Sequence, residues 1–246
     1  MRINEKMTAI ADAIRETTGR TGKIGLADMA EGVYEAFHSG ADAEWNAFWD
    51  SAQANGTRTY LTYAFAGQVW SEATFRPKYD LLPAGNINGM FRACKIKNIK
   101  QCLEDAGVTM DLSQATKANE AFAYCSSLTT LPKLDLSSVT EMNTAFNNDY
   151  VLETIEEIKF GASTRFINTF DNCTALTNMT VTGVIGQNGL NLSYSPNLTH
   201  ESLMSVIHAL QNKTSGTWTV TLGTENLAKL TDAEKAIATQ KGWTLV

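Results

Sequence analysis

The sequence predicts an α+β chain whose middle is a solenoid of about 24-residue coils, with an N-terminal helical module before it and an α/β C-terminal cap after it. Three observations carry that expectation. An aromatic residue recurs at one fixed interval, at Phe122, Phe146, Phe170 and Tyr194. A row of apolar positions travels with it: Leu128, Leu131, Leu134 and Leu136 after Phe122, then Leu152, Ile155, Ile158 and Phe160 at the same offsets from Phe146. Leu176, Met179, Thr182 and Val184 repeat the row more weakly after Phe170, and Ala118, Met142, Phe166 and Leu190 stand four residues before each aromatic. A period of this size that preserves apolar positions signals stacked units, each burying its apolar side only against its neighbours.

Local spacing gives the shape expected of one unit. Leu-x-x-Leu-x-Leu at 131–136 and Ile-x-x-Ile-x-Phe at 155–160 place alternate side chains on one side, as a short strand requires. Met142 and Phe146, and Phe166 and Phe170, put apolar groups four apart, which suits one helical or 3₁₀ turn. A turn, a bend and a strand repeated in this way make a leucine-rich-repeat solenoid.

The elements follow in order. Ile3, Met7, Ile10 and Ile14 form one apolar stripe on a helix. Gly19 and Gly22 end it, and Leu26, Met29, Ala30, Val33 and Phe37 mark a second amphipathic segment. The stripe reads either as one side of a helical hairpin packed on itself or as an oligomer or docking face, since intervals of three and four also fit a coiled coil. Gly-Arg-Thr-Gly-Lys at 19–23 is a turn, because a phosphate loop needs four residues between its glycines and a Ser or Thr after the Lys. Trp45, Phe48, Trp49 and Ala52 share one face of a third helix that stops near Asn55 and Gly56. Residues 57–85 read as a capping coil closed by Trp70, Phe75 and Tyr79. The next coil is longer by seven residues, with the excess between about Lys100 and Thr109, either as tolerated variation or as part of a binding surface. Near the C-terminus Thr199 caps an amphipathic helix, Trp218 to Leu222 alternates as a strand, Thr231 caps a last helix, and Trp243 to Val246 forms a final strand. The domains are thus 1–56, a helical attachment or oligomerisation module; 57–198, the solenoid; and 199–246, the C-terminal cap.

Composition narrows the function. With 43% hydrophobic residues, 246 residues suffice for a continuous core. A net charge of −6 without a Lys/Arg cluster gives no footprint for nucleic acid. No run approaches the ~20 apolar residues of a membrane span, and Met1 to Ile14 lack the apolar stretch of a secretion signal. The chain is therefore expected to be made in a cytosol and to stay there until lysis. Cys94, Cys125 and Cys173 each follow a repeat aromatic by three residues, which predicts a buried column, with a Cys94–Cys125 bridge or metal binding as the alternatives. His38, His200 and His208 lack the spacing of a helical zinc site. With no nucleophile elbow or nucleotide fingerprint either, the expectation is a protein without catalytic residues, cofactor or metal.

The units MNTAF…LETIEEIKF and ANEAFAYCSSLTTLPKLDLSSVTEM resemble the BspA-like, or mycoplasma-type, leucine-rich repeats of bacterial surface proteins and of phage and prophage proteins, over roughly residues 86–184. The opening segment MRINEKMTAIADAIRETTGRTGKIGLADMAEGVYEAF resembles a short N-terminal module of tail-associated proteins from phages of Gram-positive hosts. The resemblance implies a phage tail-associated or receptor-binding protein of the virion, made in the bacterial cytoplasm and contacting a host surface protein or glycan. In such repeats the residues between the strand leucines make the contact, here Lys133, Asp135, Glu157, Lys159 and Thr180. Ile3, Met7, Ile10 and Ile14 would then face other tail proteins or a homo-oligomer, a trimer included. A bacterial cell-surface adhesin and an intracellular protein-binding inhibitor are the alternatives.

Overall fold

A computed structural model of the chain describes residues 61–67, 70–72, 75, 77 and 80–246, which belong to one compact unit, Thr57–Val246. The 1–56 module, with its stripe of Ile3, Met7, Ile10 and Ile14, and the ring of Tyr79 lie outside the described residues. The elements are α1 (Ile99–Ala106), β1 (Thr130–Leu136), β2 (Thr154–Phe160), β3 (Asn178–Gly183), α2 (His200–Ala209), β4 (Trp218–Val220), α3 (Thr224–Leu227), α4 (Asp232–Gln240) and β5 (Trp243–Leu245). Strands β1, β2 and β3 form one parallel sheet, and β4 and β5 a second. No described helix is long and apolar enough to cross a membrane.

These two short parallel sheets and four helices, with most of the described chain outside helices and strands, correct the expectation of a leucine-rich-repeat solenoid of regular coils. The period itself is visible in the larger sheet. Leu131 pairs with Ile155 and Leu134 with Ile158, each one repeat on, and both rows are buried. Between β2 and β3 the register slips: Ile155 pairs with Met179, but Ile158 pairs with Val181, so Glu156 and Glu157 bulge opposite Thr180. The buried row therefore takes Val181, while Thr182 turns outward and Val184 is exposed, against the row of Thr182 and Val184 read from spacing.

The helical turns read at 142–146 and 166–170 are absent too. In their place each unit carries two left-handed residues four apart: Tyr63 and Gly67, Gly89 and Ala93, Glu120 and Tyr124, Thr144 and Asn148, Asn168 and Asn172. This backbone state is costly for residues other than Gly and less so for Asn. It aligns the turns so that amides of one unit meet carbonyls of the next: Phe91 N donates to Ala121 O at 2.7 Å, Thr144 N to Ile167 O at 2.8 Å and Phe146 N to Thr169 O at 2.9 Å. The next pair in sequence would be Leu192 and Pro196, and proline's ring locks φ at a negative value, outside the left-handed region. The alignment ends there. Tyr194, expected in the ring column, is 49% exposed.

Inside the turns the rings of Phe91, Phe122, Phe146 and Phe170 stack, with Phe65 tilted 34° against Phe91. Centroid distances are 5.5 Å, 5.4 Å and 5.1 Å from Phe91 to Phe170, with planes within 11°. Those distances exceed the ~4.8 Å separation of neighbouring strands, so the rings are offset, the arrangement their quadrupoles favour. Phe75 and Trp70 meet Phe65 edge-on at one end of the column.

The extra residues near 100–109 are mostly helical. They form α1, whose Ile99, Cys102 and Leu103 are buried, with Asn98 capping its start and Gly107 ending it in a left-handed conformation. At the other end, Thr199 and Thr231 cap α2 and α4 as read from sequence, the latter in a full capping box with Glu234.

Truncating the central ring tests the column's weight. Phe146→Ala removes a fully buried side chain with rings on both faces. It is expected to cost about 3–5 kcal/mol in urea unfolding, with little change in the denaturant slope.

Candidate functional site

Three places gather polar side chains: the solvent face of β1–β3, a column beside the ring stack, and a cleft where the turn alignment ends.

On the strand face the structure brings four of the five sequence-predicted residues into two ion pairs. Lys133 meets Glu157 at 3.1 Å, and Lys159 meets Asp135 at 2.8 Å in the opposite sense across the same two strands. Thr182 donates its hydroxyl to Glu157 at 2.9 Å. That hydrogen bond, then the Lys133 ammonium, holds the Glu157 carboxyl below its usual range, while Asp135 raises the Lys159 ammonium. Thr180 is exposed opposite the bulge and stands apart from the pairs. Lys100, on α1, adds an ion pair with Glu156 at 2.7 Å.

The cysteine column forms as expected but holds a fourth member. Asp149 follows Phe146 by three residues, as Cys94, Cys125 and Cys173 follow their own rings, and it is fully buried. Its Oδ1 accepts the Cys125 amide at 2.7 Å, and its Oδ2 has no partner. Burial pushes the Asp149 carboxyl well above its usual range, and likewise the Cys125 and Cys173 thiols. The thiols of Cys125 and Cys173 donate to Phe91 O and Phe146 O, each at 3.0 Å. Cys94 and Cys125 are both free, with sulfurs 3.5 Å apart, beyond a disulfide's ~2.05 Å. Among the described residues, no three His, Cys, Asp or Glu side chains gather as a metal site. His200 instead pairs with Glu234 at 2.8 Å.

The cleft lies between Arg165, Phe166 and Ile167 on one side and Gln187, Asn188, Gly189 and Trp218 on the other, with a volume of about 420 Å³ open to solvent. It sits where the ladder lapses. Met142 N reaches Arg165 O at 3.2 Å, but among the described residues the amides of Phe166 and Asn168 have no such carbonyl at 189 and 191. Gly189, at φ +102°, packs so close that a Cβ there would lie 2.3 Å from Phe166 O.

Arg165 ends a row of charges. Lys117, Glu141 and Arg165 occupy bridged positions of successive units, and Lys117 binds Glu141 through both carboxylate oxygens at 3.2 Å. The following position is Gly189, so no carboxylate answers Arg165 from the next unit. Sequence reasoning missed this cleft, although Lys117, Glu141, Arg165 and Gly189 recur at the same interval as the rings.

Asp149 gives a pH test of its burial. A carboxyl whose pKa rises on folding destabilises the fold above the unfolded value, near pH 4, and costs nothing once protonated in both states. Asp149→Asn is therefore expected to raise the melting temperature at pH 7, with the gain shrinking to nothing below about pH 4. No protein-family model matches the chain, and neither a curated protein nor a solved structure matches it.

Proposed function

We propose that the chain is a non-enzymatic recognition protein, phage tail-associated or receptor-binding, that contacts a host surface through the solvent face of β1–β3. One observation supports the contact surface: Lys133–Glu157 and Lys159–Asp135 cross the strands in opposite senses and fix an alternating pattern of charge on a parallel sheet. Side chains already held in place lose little further freedom on binding. Alternating charge serves specificity and the rate of encounter more than raw affinity. The tail assignment rests on the resemblance of the 86–184 units and of the opening segment to phage proteins of Gram-positive hosts.

Adsorption of the fluorescently labelled chain to host cells tests the surface. Combined Lys133→Glu and Lys159→Glu substitutions place like charges against Glu157 and Asp135 and are expected to lower retention by about tenfold or more, most clearly at low salt. Retention equal to the parent chain would remove the strand face from the contact. Mass spectrometry of purified particles tests the tail assignment separately, with peptides of this chain expected among the virion proteins.

A further inference from the structure

We infer that the cleft between Arg165 and Trp218 is a subsite for an acidic saccharide, a sugar unit bearing one carboxylate. It shares no residue with the strand face, so the two readings stand or fall apart.

The ligand class follows from which groups the cleft leaves open. The guanidinium of Arg165 is exposed and makes no ion pair or hydrogen bond among the described residues, because the charge row that would continue it reaches Gly189. Glu141, one unit back, feels its charge from a distance but is held by Lys117. A guanidinium presents a planar fork of donors that fits a carboxylate through two parallel hydrogen bonds. The fold engages the other cation nearby. Lys213 Nζ donates to Gly186 O and Gln211 Oε1, each at 2.8 Å, and lies 3.8 Å from the centre of the Trp218 ring. The cleft thus offers one positive charge with its donors open, enough for a carboxylate and short of what a polyphosphate would need.

Around that charge the wall carries both polar and apolar groups. Trp218 contributes indole surface, and Ile167, 57% exposed, contributes an aliphatic edge. Ile167 interrupts a column of asparagines: Asn119 N donates to Asn88 Oδ1, and Asn143 N to Asn119 Oδ1, each at 2.8 Å, while Asn143 Oδ1 is left buried without a partner. Apolar surface of this kind suits the C–H side of a pyranose. For hydroxyls the cleft keeps a donor, the Phe166 amide, and an acceptor, Gln187 Oε1, neither engaged among the described residues. Asn188 is occupied holding Thr217 and Thr219 and so fixes the wall. Gly189 lets the two sides approach without filling the space between them.

Ligand-observed saturation-transfer NMR on the full chain tests this, with a glucuronic-acid disaccharide, its all-glucose counterpart and inorganic phosphate as probes. The acidic disaccharide is expected to bind at least about tenfold more tightly than the neutral one, with phosphate failing to displace it at equal concentration. Arg165→Gln should erase the preference for the acid while leaving the weak neutral signal in place. Trp218→Ala should weaken both sugars, with thermal melts reporting whether each variant keeps its fold. Absence of binding by the acidic sugar, equal binding of the neutral one, displacement by phosphate, or an unchanged preference in Arg165→Gln would each overturn the assignment.

Discussion

The structure depends on a backbone constraint more than on any one contact. Two left-handed residues four apart let each unit turn so that its amides meet the carbonyls of the next and its phenylalanine lies over the previous one. Where two neighbouring units both carry the pair, from Tyr63 and Gly67 to Asn168 and Asn172, their turns pair and their rings lie over one another. Where proline at 196 excludes it, the pairing lapses, Tyr194 turns to solvent and a cleft opens. Order and opening have the same cause.

That cause accounts for how the polar groups divide. Residues inside the aligned region find partners in the neighbouring unit: Lys133 with Glu157, Lys159 with Asp135, Lys117 with Glu141. At its edge they do not, and Arg165 and the Phe166 amide are left open together. Exposed pairs of this kind contribute little stability; they hold a fixed pattern of charge on the surface, which the unanswered arginine breaks. The buried Asp149 is different in kind. It occupies a cysteine position beside the rings and destabilises the folded state as a charge, with one oxygen still unpartnered.

Much of this is legible in the sequence, for reasons tied to particular residues. Phe122, Phe146 and Phe170, the leucine rows of β1 and β2, the cysteine column and the capping threonines at 199 and 231 all show in spacing, because buried rows and caps demand particular residue types. The left-handed corners do not. Asn148, Asn168, Asn172 and Gly89 hint at them, but Glu120, Tyr124 and Thr144 adopt the same state against their preference, held by the pairing around them. Apolar residues four apart suit a helical turn equally well, and that reading leads to the wrong architecture. The bulge at Glu156 and Glu157 is equally silent, since deleting one residue from a row changes no composition. Pro196 and Gly189 stand in plain view, one repeat after Asn172 and Arg165, and together they mark the cleft.

Amide hydrogen exchange measured residue by residue in the native protein tests the central claim most directly. Strong protection is expected at Thr144 and Phe146, whose amides donate to the next unit, and fast exchange at Phe166 and Asn168, one unit later, where no carbonyl among the described residues receives them. Equal protection at both sets would mean that the alignment runs on past Asn172, and neither the break nor the open arginine beside it would stand.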